Sequence, residues 1–233
     1  MSDRRRIARG AVLACWAAFF AWLHVSGEKT RYLGPRTYWV VVFGAIVLGA
    51  AALAHFVTAR RAAARKLEGR DAAGIATLLV PLLAVAAVPS AQLGALAASR
   101  KTAGAGAAAV GAIAPPAPAA GEALSFASIH YASESEMYAA EAGIAEGMEV
   151  ELTGFVTHPQ GLPPGTLGLT RFQVSCCAAD AVPFTVPLVI DPASRGDDTW
   201  LRVSGHLASR DGTFAIEPDH VTVVDAPADP YLY

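Results

Sequence analysis

The stretch GMEVELTGFV, Gly147 to Val156, decides how the second half of the chain is read. Met148, Val150 and Leu152 alternate with Glu149, Glu151 and Thr153. A period of two marks a strand with one face buried and the other in water. Working outward, a turn-rich segment follows, His158-Pro-Gln-Gly-Leu-Pro-Pro-Gly. After it come short strand-like runs at Leu167–Ser175, Pro183–Ile190, Thr199–Leu207, Thr213–Ile216 and Val221–Val224. The turn signals between them are Asp191-Pro192, Arg195-Gly196-Asp197 and Asp211-Gly212. Short strands with frequent turns predict a small all-β barrel or sandwich. Gly154 and Gly205 sit inside strands, where glycine marks a bulge or a sharp coil. Five strands, these glycines and a break after Cys177 favour an OB-like barrel over an ordinary β-sandwich.

On the N-terminal side the composition changes class. The chain is 54% hydrophobic and only 16% charged, against about 25% charged in ordinary soluble domains. Three uncharged apolar runs account for the deficit: Gly10–Gly27, Thr37–Val57 and Ile75–Ala98. Each approaches the roughly 20 residues needed to cross the hydrocarbon core of a bilayer. Tyr38 and Trp39 fit an interfacial aromatic belt. Pro81 and Pro89 interrupt the third run, a pattern tolerated in membrane helices. Arg4, Arg5, Arg6, Arg9, Arg60, Arg61, Arg65, Lys66 and Arg70 fall on one side; Lys29, Arg31, Arg36, Arg100 and Lys101 fall on the other. Nine against five places the N-terminus in the cytoplasm. Three spans then put the C-terminal domain outside the plasma membrane, whereas two would leave it in the cytoplasm. The expected organisation is a membrane region over 1–100, an Ala/Gly/Pro linker over 101–121 and a β domain over 122–233. Leu124–Ala145 reads as one or two short helices at the start of that domain.

The run LTRFQVSCCAADAVP, Leu169–Pro183, together with GFV at 154–156, TWLRVSGHL at Thr199–Leu207 and the terminal DPYLY, resembles the uncharacterised bacterial YcgQ-like proteins. These are described as permease subunits with N-terminal spans and an extramembrane β domain. The resemblance implies an accessory transport role beside a separate multi-span permease. It supplies no substrate.

Cys176 and Cys177 carry the chemistry worth testing. Neighbouring strand residues face opposite ways, so the two thiols converge only if the strand ends there. As metal ligands they need a partner: Asp180 or one of His130, His158, His206 and His220. Thiolates would favour Zn or Cu(I). As redox groups they would form a vicinal disulfide outside the cell. As packing residues they would be two small hydrophobes closing a core strand. Asp180 is equally a helix cap. Arg171 pairs with an acid such as Asp180, lowers a thiol pKa, or is solvated. Trp200 reads as core, and Tyr231 and Tyr233 as a tail that docks. His24, His55 and Cys15 lie in the first two spans, the histidines near their ends.

No nucleophile motif, phosphate loop or HExxH is present, so a non-enzymatic protein is expected. Residues 122–233 hold only four fixed positive charges, Arg171, Arg195, Arg202 and Arg210, which argues against nucleic acid as a partner. The expectation is an accessory permease subunit in the lipid bilayer, with a metal ion as one candidate cargo. The alternatives are a metal-delivery protein acting through Cys176 and Cys177, and an extracytoplasmic thiol-disulfide protein.

Overall fold

A computed structural model of the chain describes residues 3–61, 69–87, 92–104, 116–118 and 122–233. Two compact units emerge: Met1–Ala91 together with Cys176–Ala178, and Gln92–Ser175 together with Ala179–Tyr233.

The first unit is built on a helical hairpin, α1 (Arg4–Ser26) and α2 (Tyr38–Ala59). The Asp3 carboxylate opens α1 by accepting from the Arg5 and Arg6 amides, and Gly27, at φ 80°, closes it. That left-handed conformation is nearly free only for glycine. Small residues let the two helices approach. A Cβ on Gly10 would lie 3.0 Å from the Phe56 ring, and one on Gly44 would lie 3.4 Å from Phe20. Both helices are long and apolar enough to cross a membrane. Their outward faces present Trp22, Trp39, Phe43, Ile46 and Leu53. Helix α3 (Gly69–Ala87) contains Pro81 and packs on α1. Asp71 in its first turn pairs with Arg5 at 2.7 Å and with Arg9 at 3.3 Å. The Trp16 indole N–H donates to the Leu78 carbonyl at 3.0 Å.

The expected third span over 75–98 is not one helix. Helix α3 is described over Gly69–Ala87, with Arg70 and Asp71 near its start, and residues 92–94 are not helical. The end of the run belongs to another element, α4 (Ala95–Gly104), in the second unit. There Ala95 and Ala98 are buried against Phe155, Phe172, Val174 and Tyr231. Alanine suits both a bilayer and a tight helix–sheet contact, and here packing claims it. Of the expected linker, Lys101–Gly104 belongs to α4, while 105–115 and 119–121 lie outside the described residues.

The second unit holds the expected β domain as a five-stranded barrel. Its strands are β1 (Glu149–Thr157), β2 (Leu167–Gln173), β3 (Val182–Leu188), β4 (Trp200–Arg210) and β5 (Thr213–Val223). The order β1-β4-β5-β3-β2 returns to β1 through a second β1–β2 pairing. All pairings around the ring are antiparallel except β3–β5, a parallel contact at Leu188–Ile216. A two-residue strand, β6 (Tyr231–Leu232), lies parallel beside β2. Helices α5 (Phe126–Glu134) and α6 (Glu136–Ala142) precede the barrel. Their caps are Ser125, in a reciprocal bond with Ser128, and Ser135, and both give the first-turn amides an acceptor. Phe126 and Ile129 join Val150, Leu152, Val156, Leu169, Val186, Leu201 and Val203 in the barrel core.

Both strand glycines are required by close approach. A Cβ on Gly154 would lie 2.7 Å from the Thr170 carbonyl and 2.8 Å from the Phe126 ring. Gly154 directly precedes Phe155, the residue at which β1 pairs with both β4 and β2. A Cβ on Gly205 would run into the Glu217 carbonyl. The bulge expected there is present, as a register shift between Ser204 and Gly205. The core also contains a polar chain. The hydroxyls of buried Thr157 and Thr170 and half-buried Thr185 link three strands at 2.7 Å each, so the buried hydroxyls have partners.

Candidate functional site

Strand β2 ends at Gln173, and a 3-10 turn over Ala178–Asp180 reverses the chain before β3. The geometric condition set by the sequence is therefore met: the strand stops before the cysteines. The Cys176 and Cys177 sulfurs approach to 3.8 Å, and no disulfide joins them. The ligand atoms of Cys176, Cys177 and Asp180 all lie within 4.8 Å of one another. Among the described residues no histidine joins this group. Cys176 is exposed and Cys177 half-buried, so the pair is not the end of a sealed core strand.

Hydrogen bonds hold the loop's residues within each unit. Within the loop, the Asp180 carboxylate accepts from the Ser175 amide at 3.0 Å. Asp180 closes the 3-10 turn rather than opening it, so it is not an N-cap. Inside the first unit, the Cys176 carbonyl accepts from the Gly34 amide at 3.0 Å and from the Thr37 hydroxyl at 2.6 Å. The Ala178 amide donates to the Tyr32 carbonyl at 2.8 Å, and Leu33 and Cys177 form an antiparallel bridge. Sequence reasoning missed Tyr32, Gly34 and Thr37. They belong to the α1–α2 connection, and no local pattern links them to a loop 139 residues away. In the second unit, the Lys101 ammonium donates to the Ala179 carbonyl at 2.9 Å, which sets a positive charge beside the acidic loop.

Arg171 serves the C-terminal tail. Its guanidinium donates to the carbonyls of Thr153 at 3.2 Å, Asp229 at 2.8 Å and Pro230 at 3.3 Å. It also lies over the Trp200 ring at 5.9 Å. Burial lowers its pKa, and Asp229 and Tyr233 resist that shift. Its partners are thus main-chain carbonyls rather than the Asp180 carboxylate. Trp200 packs on Phe155, and Tyr231 is 4% exposed in the same cluster. Trp200 is half-buried rather than core, and of the tail aromatics Tyr231 docks while Tyr233 is exposed.

The histidines disperse. His130 lies edge-on to Phe184 and 3.5 Å from Glu134. His206 pairs with Asp219 at 3.0 Å. His158 contacts Asp197 through Nδ1 at 2.7 Å and the Pro192 carbonyl through Nε2 at 2.9 Å. His24 lies 3.5 Å from the Lys29 ammonium. Among the described residues, the buried His55 Nδ1 finds no hydrogen-bond partner.

The arrangement offers two sulfur donors and one oxygen donor to a cation. Comparison with curated proteins found no match. A family profile described as the DUF1980 C-terminal domain matches residues 116–233, just over half of the 233-residue chain. That region takes in the barrel, the Cys-Cys-Ala-Ala-Asp run and the Arg171-anchored tail. The match agrees with the YcgQ-like resemblance at the level of family. The chain belongs to the DUF1980 C-terminal domain family.

Proposed function

We propose that the protein is a membrane-anchored, non-enzymatic accessory subunit of a transport system, and that its barrel domain captures a soft metal cation at Cys176, Cys177 and Asp180. The observation that carries this reading is the convergence of two thiols and a carboxylate within 4.8 Å on an exposed, backbone-anchored loop. Thiolate donors select Zn and Cu(I) among biological cations. Three protein donors leave positions for a second molecule to take the ion over, as delivery requires. The exposed apolar faces of α1 and α2 suit lipid and a multi-span partner. The strand order, with its parallel β3–β5 contact, fits an OB-type barrel.

We place the metal loop on the extracytoplasmic side, opposite the N-terminus. Two observations support this. The loop is bonded to residues 32–37, the connection between the two apolar helices. Helix α3 runs parallel to α1: Arg9 meets Asp71, and seven residues further along each helix Trp16 meets Leu78. We propose that α3, parallel to α1, crosses as a third helix and so returns the chain to the far side.

The test is metal analysis of the full chain, purified in mild detergent under reducing conditions. One Zn or Cu per chain is expected, and none in the Cys176→Ser/Cys177→Ser variant. Equal metal content in the two proteins would overturn the reading.

A further inference from the structure

We infer that Asp180 sets the metal specificity of the loop, making it a site for a Zn(II)-class divalent cation and turning it away from Cu(I). The inference rests on the metal-binding reading above and names the ion class. It starts from spacing. Zn–S bonds are about 2.3 Å and zinc sites are tetrahedral, so two sulfurs on one zinc lie about 3.8 Å apart. The Cys176 and Cys177 sulfurs stand at 3.8 Å. A linear S–metal–S unit with bonds of that length would spread them to about 4.6 Å. The loop is thus already set for a tetrahedral edge.

The third donor carries the discrimination. A carboxylate oxygen is a hard ligand that zinc accepts, at about 2.0–2.2 Å, and that Cu(I) does not seek. Charge acts in the same direction. Two thiolates and a carboxylate total three negative charges, which a divalent cation reduces to one and a monovalent ion only to two.

Asp180 is also positioned before any ion arrives. Its Oδ1 accepts from the Ser175 amide, which fixes the carboxylate on the side of the loop where the sulfurs converge. Asparagine keeps an oxygen for that amide and removes the charge. Asp180→Asn therefore separates the metal role from the loop-closing role.

The experiment uses the full chain in mild detergent with reductant. Zn(II) and Cu(I) are each titrated against a chromophoric chelator, and Co(II) serves as a spectroscopic stand-in for zinc. Wild type should bind one Zn(II) per chain and give thiolate-to-cobalt charge-transfer bands with intense tetrahedral d–d bands. Asp180→Asn should weaken Zn(II) by at least about tenfold, since even partners outside the ligand shell act on that scale. Its Cu(I) affinity should stay within about twofold of wild type. Unchanged Zn(II) affinity in Asp180→Asn would overturn the inference, as would equal losses for both ions, which report a damaged loop. A wild type that binds neither ion would overturn the metal-binding reading itself.

Discussion

His158 leaves the end of β1 with both ring nitrogens facing acceptors, the Asp197 carboxylate and the Pro192 carbonyl. Only the imidazolium donates from both. The Asp197 bond and then the Pro192 bond accordingly raise its pKa above the ordinary 6.5. Its contribution to stability is full below that value and is lost as pH rises through the raised folded value. His130 behaves in the opposite sense. Burial lowers its pKa, with Glu134 opposing, so its neutral form stabilises the fold above pH 6.5 and that contribution is lost as pH falls through the lowered value. In a proton NMR titration the His158 midpoint should lie above 6.5 and the His130 midpoint below it. Asp197→Asn should draw His158 back toward its ordinary value. Coincident midpoints for the two histidines would contradict this account. Neither environment is legible in the sequence, because Asp197 lies 39 residues from His158 and the aromatic neighbour of His130 is on β3.

At the scale of elements, the glycines in β1 and β4 do different work. Gly154 leaves room for the Phe126 ring just before β1 pairs with both β4 and β2, and Gly205 sits at a bulge against the β5 backbone. Overpacking a tight site costs about 1–3 kcal/mol. Gly154→Ala should reach the top of that range, because the Phe126 ring can shift but the Thr170 carbonyl is main chain. Gly205→Ala should cost more, because all of its nearest obstacles are main chain and the first is closer. Thermal unfolding of the two variants ranks them, and an equal or reversed order would show that the β4 bulge gives way. The alternation at Met148, Val150 and Leu152 was enough to identify β1. What it did not reveal is that Phe155 leaves the barrel core for a second cluster. That cluster exists because α4 brings Ala95 and Ala98 onto the outer face. Read in isolation, those alanines extend an apolar run, and nothing in their chemistry separates a bilayer neighbour from a phenylalanine. The pairing of Cys176 with Cys177 was legible to the same degree: the sequence stated the condition for convergence, and the turn after β2 met it.

At the scale of the whole chain, the topology proposal has a direct reading. A membrane-impermeant maleimide added to intact cells should label Cys176, which is exposed, in a variant lacking Cys15 and Cys177. A cysteine placed at Arg4 in a chain lacking the native three should be labelled only after permeabilisation. Labelling of both, or of neither, in intact cells would remove the extracytoplasmic placement. The barrel carries a consequence of its own. Four of its five joins are antiparallel ladders, but β3 meets β5 at a single residue pair, Leu188 with Ile216, backed by the Val189 amide on the Ile216 carbonyl at 2.9 Å. A cylinder closed so unevenly unrolls at its thinnest join. Fluctuations that part β3 from β5 would turn the ring into an open ribbon and wet Leu188 and Ile216, both fully buried at rest, while the long β4–β5 hairpin stays whole.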